Sequence, residues 1–403
     1  MLAIQYLEDS PELAHLSVDR VVEKLRRAAD QLEFSHLLIG WHLPHPMLEA
    51  CRAEAQRLRI RFLRWQPVLV GDTSLQTGVD WTVVGASGRR IAGFRDLPEF
   101  TFVCPNHPQV HEAISRQLEA LVNTGVYQGF FLDRIRFPSP ASDPYNDLGC
   151  FCKYCRDKAA GLGLDLEEVR QALLHWGRDP DGRLTLALAL LGAESALRHH
   201  AEAARLRCLM DFRVRSVTDL VSVLAERLRS AAMEVGLDCF SPSLAGMVGQ
   251  DLTALSAHVD WIKIMTYAHA LGPAGLPFEL RAMCDFVESS TGLDDPEALR
   301  RLGEALGRTL PTTRKALEEN GLSSFSLRQE VEAGVRASRV PILAGLELID
   351  IPGVARLNDA QIRADLQSVR AARPAGLSLS WDLRHIPMHR LDLVREVYLS
   401  NSL

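Results

Sequence analysis

Along the chain, short and mainly apolar runs alternate with stretches whose apolar positions recur every three or four residues. Residues 2–6 read as a first strand. Residues 18–32 carry apolar side chains at 18, 21, 22, 25, 28, 29 and 32, which is one face of a helix. The same reading gives strands at 36–41, 60–70, 128–133, 237–241, 260–267, 340–347 and 377–382, with Pro67 marking an end or an irregularity in the third. Helices are predicted at 45–58, 108–122 and 359–372, the last behind an Asn358 cap. Residues 81–94 read as an inserted hairpin with its turn near Gly85 to Gly88, and 100–104 extend that region.

Eight strands separated by helices predict an α/β chain folded as a (β/α)8 TIM barrel, a single domain over 1–403. A doubly wound open sheet is the competing architecture. Between the fourth and fifth strands, residues 139–235 form a long, mainly helical, Cys-containing insertion, rich in Ala, Leu and Arg. His199, His200 and the arginines there read as a solvated helical face. No repeat of fixed period stands out.

The composition supports a large buried core, since 47% of the 403 residues are hydrophobic. Forty-five Lys and Arg against 51 Asp and Glu leave a net charge of −6, which argues against nucleic acid as the partner. The most apolar helical run, 184–191, is too short to cross a bilayer, so no membrane is expected. The N-terminal MLAIQYLEDSPE has neither the basic nor the apolar region of a signal peptide, which leaves open a leader already removed. Cysteines at 51, 104, 150, 152, 155, 208, 239 and 284 lack the spacing of a small secreted scaffold. They point to the cytoplasm, with thiols reduced or bound to metal. Assembly into a homo-oligomer stays open.

In a barrel of this kind the loops after the strands converge at the C-terminal mouth, where catalysis is expected. The second strand brings Trp41 and His42 there, the third Trp65 and Gln66, and the fourth Asp133 in GFFLDRIRFP. The fifth brings Ser241, and the sixth Thr266, Tyr267 and His269 in DWIKIMTYAHALGPAG. The seventh brings Glu347 in GLELID, and the eighth Trp381 and Asp382 in LSWDL. Carboxylates among aromatics suit glycosidic bond hydrolysis. One carboxyl protonates the leaving oxygen, the other attacks the anomeric carbon or activates water, and aromatic faces stack on the sugar ring.

Asp133 is the expected nucleophile or base, with a structural pair to Arg134 or Arg136 as its other reading. Glu347, in an apolar mouth, is the expected acid. Asp382 is the third catalytic candidate, with helix capping or a pair with Arg384 as its alternative. Tyr267, His269, Arg136, Trp381, Trp41 and His42 are expected to bind or orient substrate. Asp260 falls at the wrong end of its strand and reads as structural. Lys263 lies inside the sixth strand, where it either faces the helices or, in a lyase or aldolase, forms a Schiff base.

Cys150-Phe-Cys152-Lys-Tyr-Cys155 supplies three of the four ligands that a tetrahedral zinc site needs. Cys104 or His107 could be the fourth, and the expected role is structural. The alternative is three unmetallated thiols at the start of a helix. The spacing is not that of a radical iron–sulfur site. No P-loop, GxGxxG or GxSxG motif is present, so no organic cofactor is expected.

GFFLDRIRFP followed by CFCKYC resembles a family of glycoside-hydrolase-like TIM barrels in which a GxxLDxxRxP element precedes a CFCxxC segment. DWIKIMTY and LSWDL resemble the sixth and eighth strands of chitinase-type barrels. The resemblance spans about residues 128–390. It implies a sugar-active barrel, with Asp133 as the position most directly carried over. The DxxDxDxE signature of chitinases is absent, and Ala268 stands where chitinases usually carry Asp, so their substrate-assisted mechanism is not expected. The function expected is therefore cleavage of a glycosidic bond in an oligo- or polysaccharide. The alternatives are a non-catalytic carbohydrate-binding barrel and a metal-dependent hydrolase.

Overall fold

The structure, a computed structural model, describes residues 1–70, 81–94, 100–193 and 203–400. His199 and His200 lie outside the described residues. Eight parallel strands close into a barrel in chain order. They are β1 (Leu2–Tyr6), β2 (His36–Ile39), β3 (Arg61–Pro67), β4 (Gly129–Asp133), β5 (Glu234–Phe240), β6 (Trp261–Met265), β7 (Ile342–Glu347) and β8 (Gly376–Ser380). Closure comes from β8 pairing with β1, Leu2 opposite Leu377.

The helices read from periodicity are present as Val18–Gln31, His45–Arg57, Pro108–Asn123 and Asp359–Ala372. Asn358 and Gln361 form a reciprocal capping box on the last. The insertion is helical, and its longest helix is Ala203–Ser230. Three local expectations change. β5 begins at Glu234 rather than residue 237, so its mouth residues are Asp238 and Phe240, and Ser241 follows the strand. The hairpin shrinks to one antiparallel bridge, Val84 with Arg90, turning through Gly88 at φ 81°. Lys263 faces the barrel interior rather than the helices: it is fully buried and donates to Gln5 and Asp238 from the neighbouring strands.

Alternation along the strands sends every second side chain inward. The lower interior is filled by Ala3, Leu38, Leu63, Phe131, Trp261 and Leu343, with Trp41 and Trp65 above. Phe131 and Trp261 stack with centroids 5.3 Å apart and planes at 13°. At the base, Glu234 accepts from Trp261 Nε1 at 2.7 Å and pairs with Arg61 Nε at 2.5 Å and His36 Nε2 at 3.0 Å. A large indole fits here because its in-register neighbour is Gly236, where a Cβ would come within 2.2 Å of the Trp261 ring. Among the described residues no helix is long and apolar enough to cross a membrane.

Gly236→Ala would overpack this floor. The expected cost is roughly 1–3 kcal/mol, seen as a lower midpoint in denaturant unfolding. An unchanged midpoint would show that the floor has slack the packing does not suggest.

Candidate functional site

Above the apolar floor the interior becomes polar, and its centre is Lys263. In β6 it sits in register with Asp238 of β5. Its Nζ donates to Gln5 Oε1 at 2.8 Å, Asp238 Oδ2 at 2.9 Å and the Tyr267 hydroxyl at 2.7 Å. An ammonium has three N–H groups, and all three are used. The side chain reaches across because Gly345 leaves the space open: a Cβ there would lie 2.6 Å from Lys263 Cε. Gln5 Oε1 also accepts from Ser380 Oγ at 2.7 Å, which joins β8 to the network.

Two carboxylates stand side by side on this wall. Leu132 pairs with Leu237, so the next step in register sets Asp133 of β4 beside Asp238 of β5. Trp65 Nε1 donates to Asp133 Oδ2 at 3.0 Å and Arg134 N to Asp133 Oδ1 at 2.5 Å. Arg134 takes a left-handed φ of 52°, a costly conformation for a non-glycine residue and one that recurs at functional sites. Its guanidinium pairs with Glu8 at 3.0 Å and lies over the rings of Trp41 and Phe100. Burial pushes the Asp238 carboxyl up to about 7, against the pull of Lys263. The same cause lifts Glu8 to about 7, against Arg134. Asp238 Oδ1 and Gln5 Nε2 are buried without a protein partner.

Asp133, Asp238, Glu8 and Gln5 line one cavity of about 140 Å³, walled by Trp65, Phe100, Tyr267 and Trp381. Of the residues named from the sequence, the cavity brings together Trp65, Asp133, Arg134, Arg136, Tyr267 and Trp381. The Tyr267 and Trp381 rings are 5.5 Å apart, and the Ser380–Trp381 peptide is cis. The Arg136 guanidinium is held between the faces of Phe102 and Phe240 at 4.4 and 4.5 Å.

The others lie off the cavity lining. Glu347 accepts from His269 N at 2.6 Å, and His269 Nε2 meets Asp365 at 2.9 Å. Burial pulls the His269 pKa down, but Asp365 and Glu347 outweigh it and lift it to about 9. Asp382 is buried beneath the loop after β1. Its oxygens accept from Leu7 N and Glu8 N at 3.1 Å, and from Arg384 N and Nε at 2.9 and 2.7 Å. It thereby fixes the loop that carries Glu8. Trp41 is buried, edge-on to Trp65. His42 is partly exposed and meets Asp9 at 2.9 Å.

Asp238, Gln5 and Glu8 were not singled out from sequence. A usable signal was present in VGLDCF and WIKIM, two apolar strands in succession that each carry one charge. Charges inside buried strands have to be paired, and this acid and base are the available pair.

Cys104, Cys150, Cys152 and Cys155 gather with all four sulfurs within 4.8 Å of one another, and the cluster could hold a metal ion. Cys104 Sγ lies 3.4 Å from Cys155 Sγ and 3.6 Å from Cys152 Sγ. Tetrahedral zinc with bonds of ~2.3 Å sets sulfurs about 3.8 Å apart, so the set fits. Val84 N donates to Cys150 Sγ, and Asn106 N and Nδ2 donate to Cys104 and Cys155, at 3.3–3.4 Å. Cys104 is thus the fourth member. His107 instead accepts from Gln109 N, and its ring centroid lies 4.2 Å from that of Tyr154.

No protein-family model matches the chain, and no curated protein matches it. Solved structures do. One is the glycoside hydrolase domain of PgaB (BpsB) from Bordetella bronchiseptica, at 14% identity and TM-score 0.52, covering 100% of this chain and 99% of that one. Another is the catalytic domain of β-amylase from Paenibacillus polymyxa, at 10% identity and TM-score 0.56, covering 100% and 98%. A third is α-L-fucosidase isoenzyme 2 from Paenibacillus thiaminolyticus, at 11% identity and TM-score 0.53, covering 98% and 48%. At such identities the likeness is one of fold.

Burial pushes the Glu347 carboxyl up to about 7, against the charge of His269. A carboxyl raised on folding binds more protons in the native state, so its share of stability falls as pH rises. Between about pH 4.5 and 7, the wild type should lose on the order of 3 kcal/mol relative to Glu347→Gln. Urea unfolding of both proteins across that range checks this; parallel curves would refute it.

Proposed function

We propose that this chain is a glycoside hydrolase that cleaves a bond within an oligo- or polysaccharide. The observation that carries the reading is the pair of carboxylates, Asp133 and Asp238, each next along its strand from the paired Leu132 and Leu237 and both lining an aromatic-walled cavity at the barrel mouth. Asp238 takes the acid role first assigned to Glu347, because it lines the cavity, has one oxygen unengaged, and is lifted to about 7. The Asp238 proton passes to the leaving oxygen as the bond from the anomeric carbon breaks. The Asp133 carboxylate either forms the new bond to that carbon or takes a proton from the attacking water. Trp65 and Arg134 N fix the Asp133 oxygens, Tyr267 and Trp381 offer ring faces to the sugar, and Asp382 acts as a positioning residue through Glu8.

Lys263 has no N–H to spare, which weighs against the Schiff-base alternative. The cysteine cluster lies outside the cavity lining. In this reading its ion is structural zinc, held by Cys104, Cys150, Cys152 and Cys155, and it fastens the insertion to the loop after β3. The cysteine spacing supports a cytoplasmic setting.

Asp133→Asn and Asp238→Asn should each lower kcat about 10²–10⁴-fold on a hydrolysed glycoside. The wild-type rate should fall above about pH 7 as Asp238 loses its proton. Sugar binding that persists in both variants, beside a wild type that never hydrolyses, would favour a binding barrel instead.

Removing metal with a thiol-selective chelator should release about one zinc per chain and lower the melting temperature before turnover declines. Activity lost at an unchanged melting temperature would instead point to a catalytic metal.

A further inference from the structure

A second cavity, of about 270 Å³, opens beside the first. Phe100, Arg136 and Pro273 line both. Arg136 is the partition. It is 5% exposed, and among the described residues one of its five N–H groups is donated, to the Phe137 carbonyl at 2.9 Å. A guanidinium so buried needs acceptors, and the two cavities are where they would come from.

The far wall has complementary chemistry. Glu279 is 1% exposed and fixed by Ser139 Oγ at 2.5 Å and Ala274 N at 2.9 Å. Asp147 lines the same space, its carboxyl lifted to about 6 by burial. Phe94 and Phe278 form an apolar side, edge to face at 5.1 Å. Donors and acceptors placed together beside aromatic faces match a sugar ring, whose hydroxyls both give and receive hydrogen bonds while its C–H face is apolar.

We infer that the second cavity is a binding subsite for the neighbouring sugar of the substrate chain, so that the two cavities are filled by consecutive units of one oligosaccharide. The inference rests on the glycosidase reading and deepens it: the neighbouring unit lies beyond Arg136, against Phe94, Phe278 and Glu279. The unit beyond Arg136 contributes binding energy at a distance from the cleaved bond, and that energy appears in kcat/KM.

The test uses defined sugar chains of one to six units, displayed as a glycan array probed with Asp133→Asn and offered in solution to the wild type as 4-nitrophenyl glycosides, so that the single unit also carries a cleavable bond. For the glycan retained, binding and kcat/KM should rise at least tenfold between the single unit and the length that fills both cavities. Phe278→Ala, at a partly exposed position, should collapse that ratio, and Ser139→Ala should lower it. A single unit bound and cleaved as well as its longer forms would overturn the subsite and leave the glycosidase standing. Length-dependent binding without turnover would do the reverse. No binding to any glycan on the array would overturn both.

Discussion

An ammonium group taken out of water has to find an acceptor for each of its N–H bonds, and Lys263 does so with groups drawn from separate parts of the barrel. Gln5 comes from β1, Asp238 from β5, and Tyr267 from the segment just after β6. Removing one partner from a buried ion pair typically costs 3–5 kcal/mol, because the remaining charge stays stranded. The cation therefore constrains its acceptors as much as they constrain it. It fixes one oxygen of Asp238, and the other has no protein partner among the described residues. It also orients the Tyr267 hydroxyl, which sets the ring that faces Trp381.

The barrel divides its interior by chemistry. Below, Phe131, Trp261 and the small residues around them are apolar and interlocked, with Gly236 supplying the room for the indole. Above, Gly345 supplies the room for Lys263. Glycine thus serves twice as an absence of side chain, once under a ring and once beside a cation.

Much of the framework was legible in the sequence. The eight strands follow from apolar runs, and Asn358 marked its helix start because a capping side chain satisfies open backbone N–H groups. Asp133 was legible because it ends β4, and Tyr267 and Trp381 because they closely follow β6 and β8. Asp238 lies inside the strand read at 237–241, but attention went to the last residue, Ser241, although the inward-facing charge sits two residues before the strand's end. Glu347 and Asp382 also end or follow strands, but strand position does not report where a carboxylate finds its partners. Glu347 meets the His269 backbone, and Asp382 meets the backbone of Leu7 and Glu8. Cys104 was within reach as a fourth thiol, but only the fold brings it from the loop after β3 to the insertion.

The closing seam of the barrel, where β8 meets β1 and Asp382 holds the loop after β1, ties together residues 375 positions apart. During synthesis the first strand leaves the ribosome long before the last. At about 5–20 residues per second, β1 and the loop bearing Glu8 would wait roughly 20–75 s for their partners. Gln5 waits about 13–52 s at that rate for Lys263, 258 positions on, and Glu8 spends the full interval without the oxygens that hold its backbone. In the life of a nascent chain, the mouth of this barrel is the part finished last.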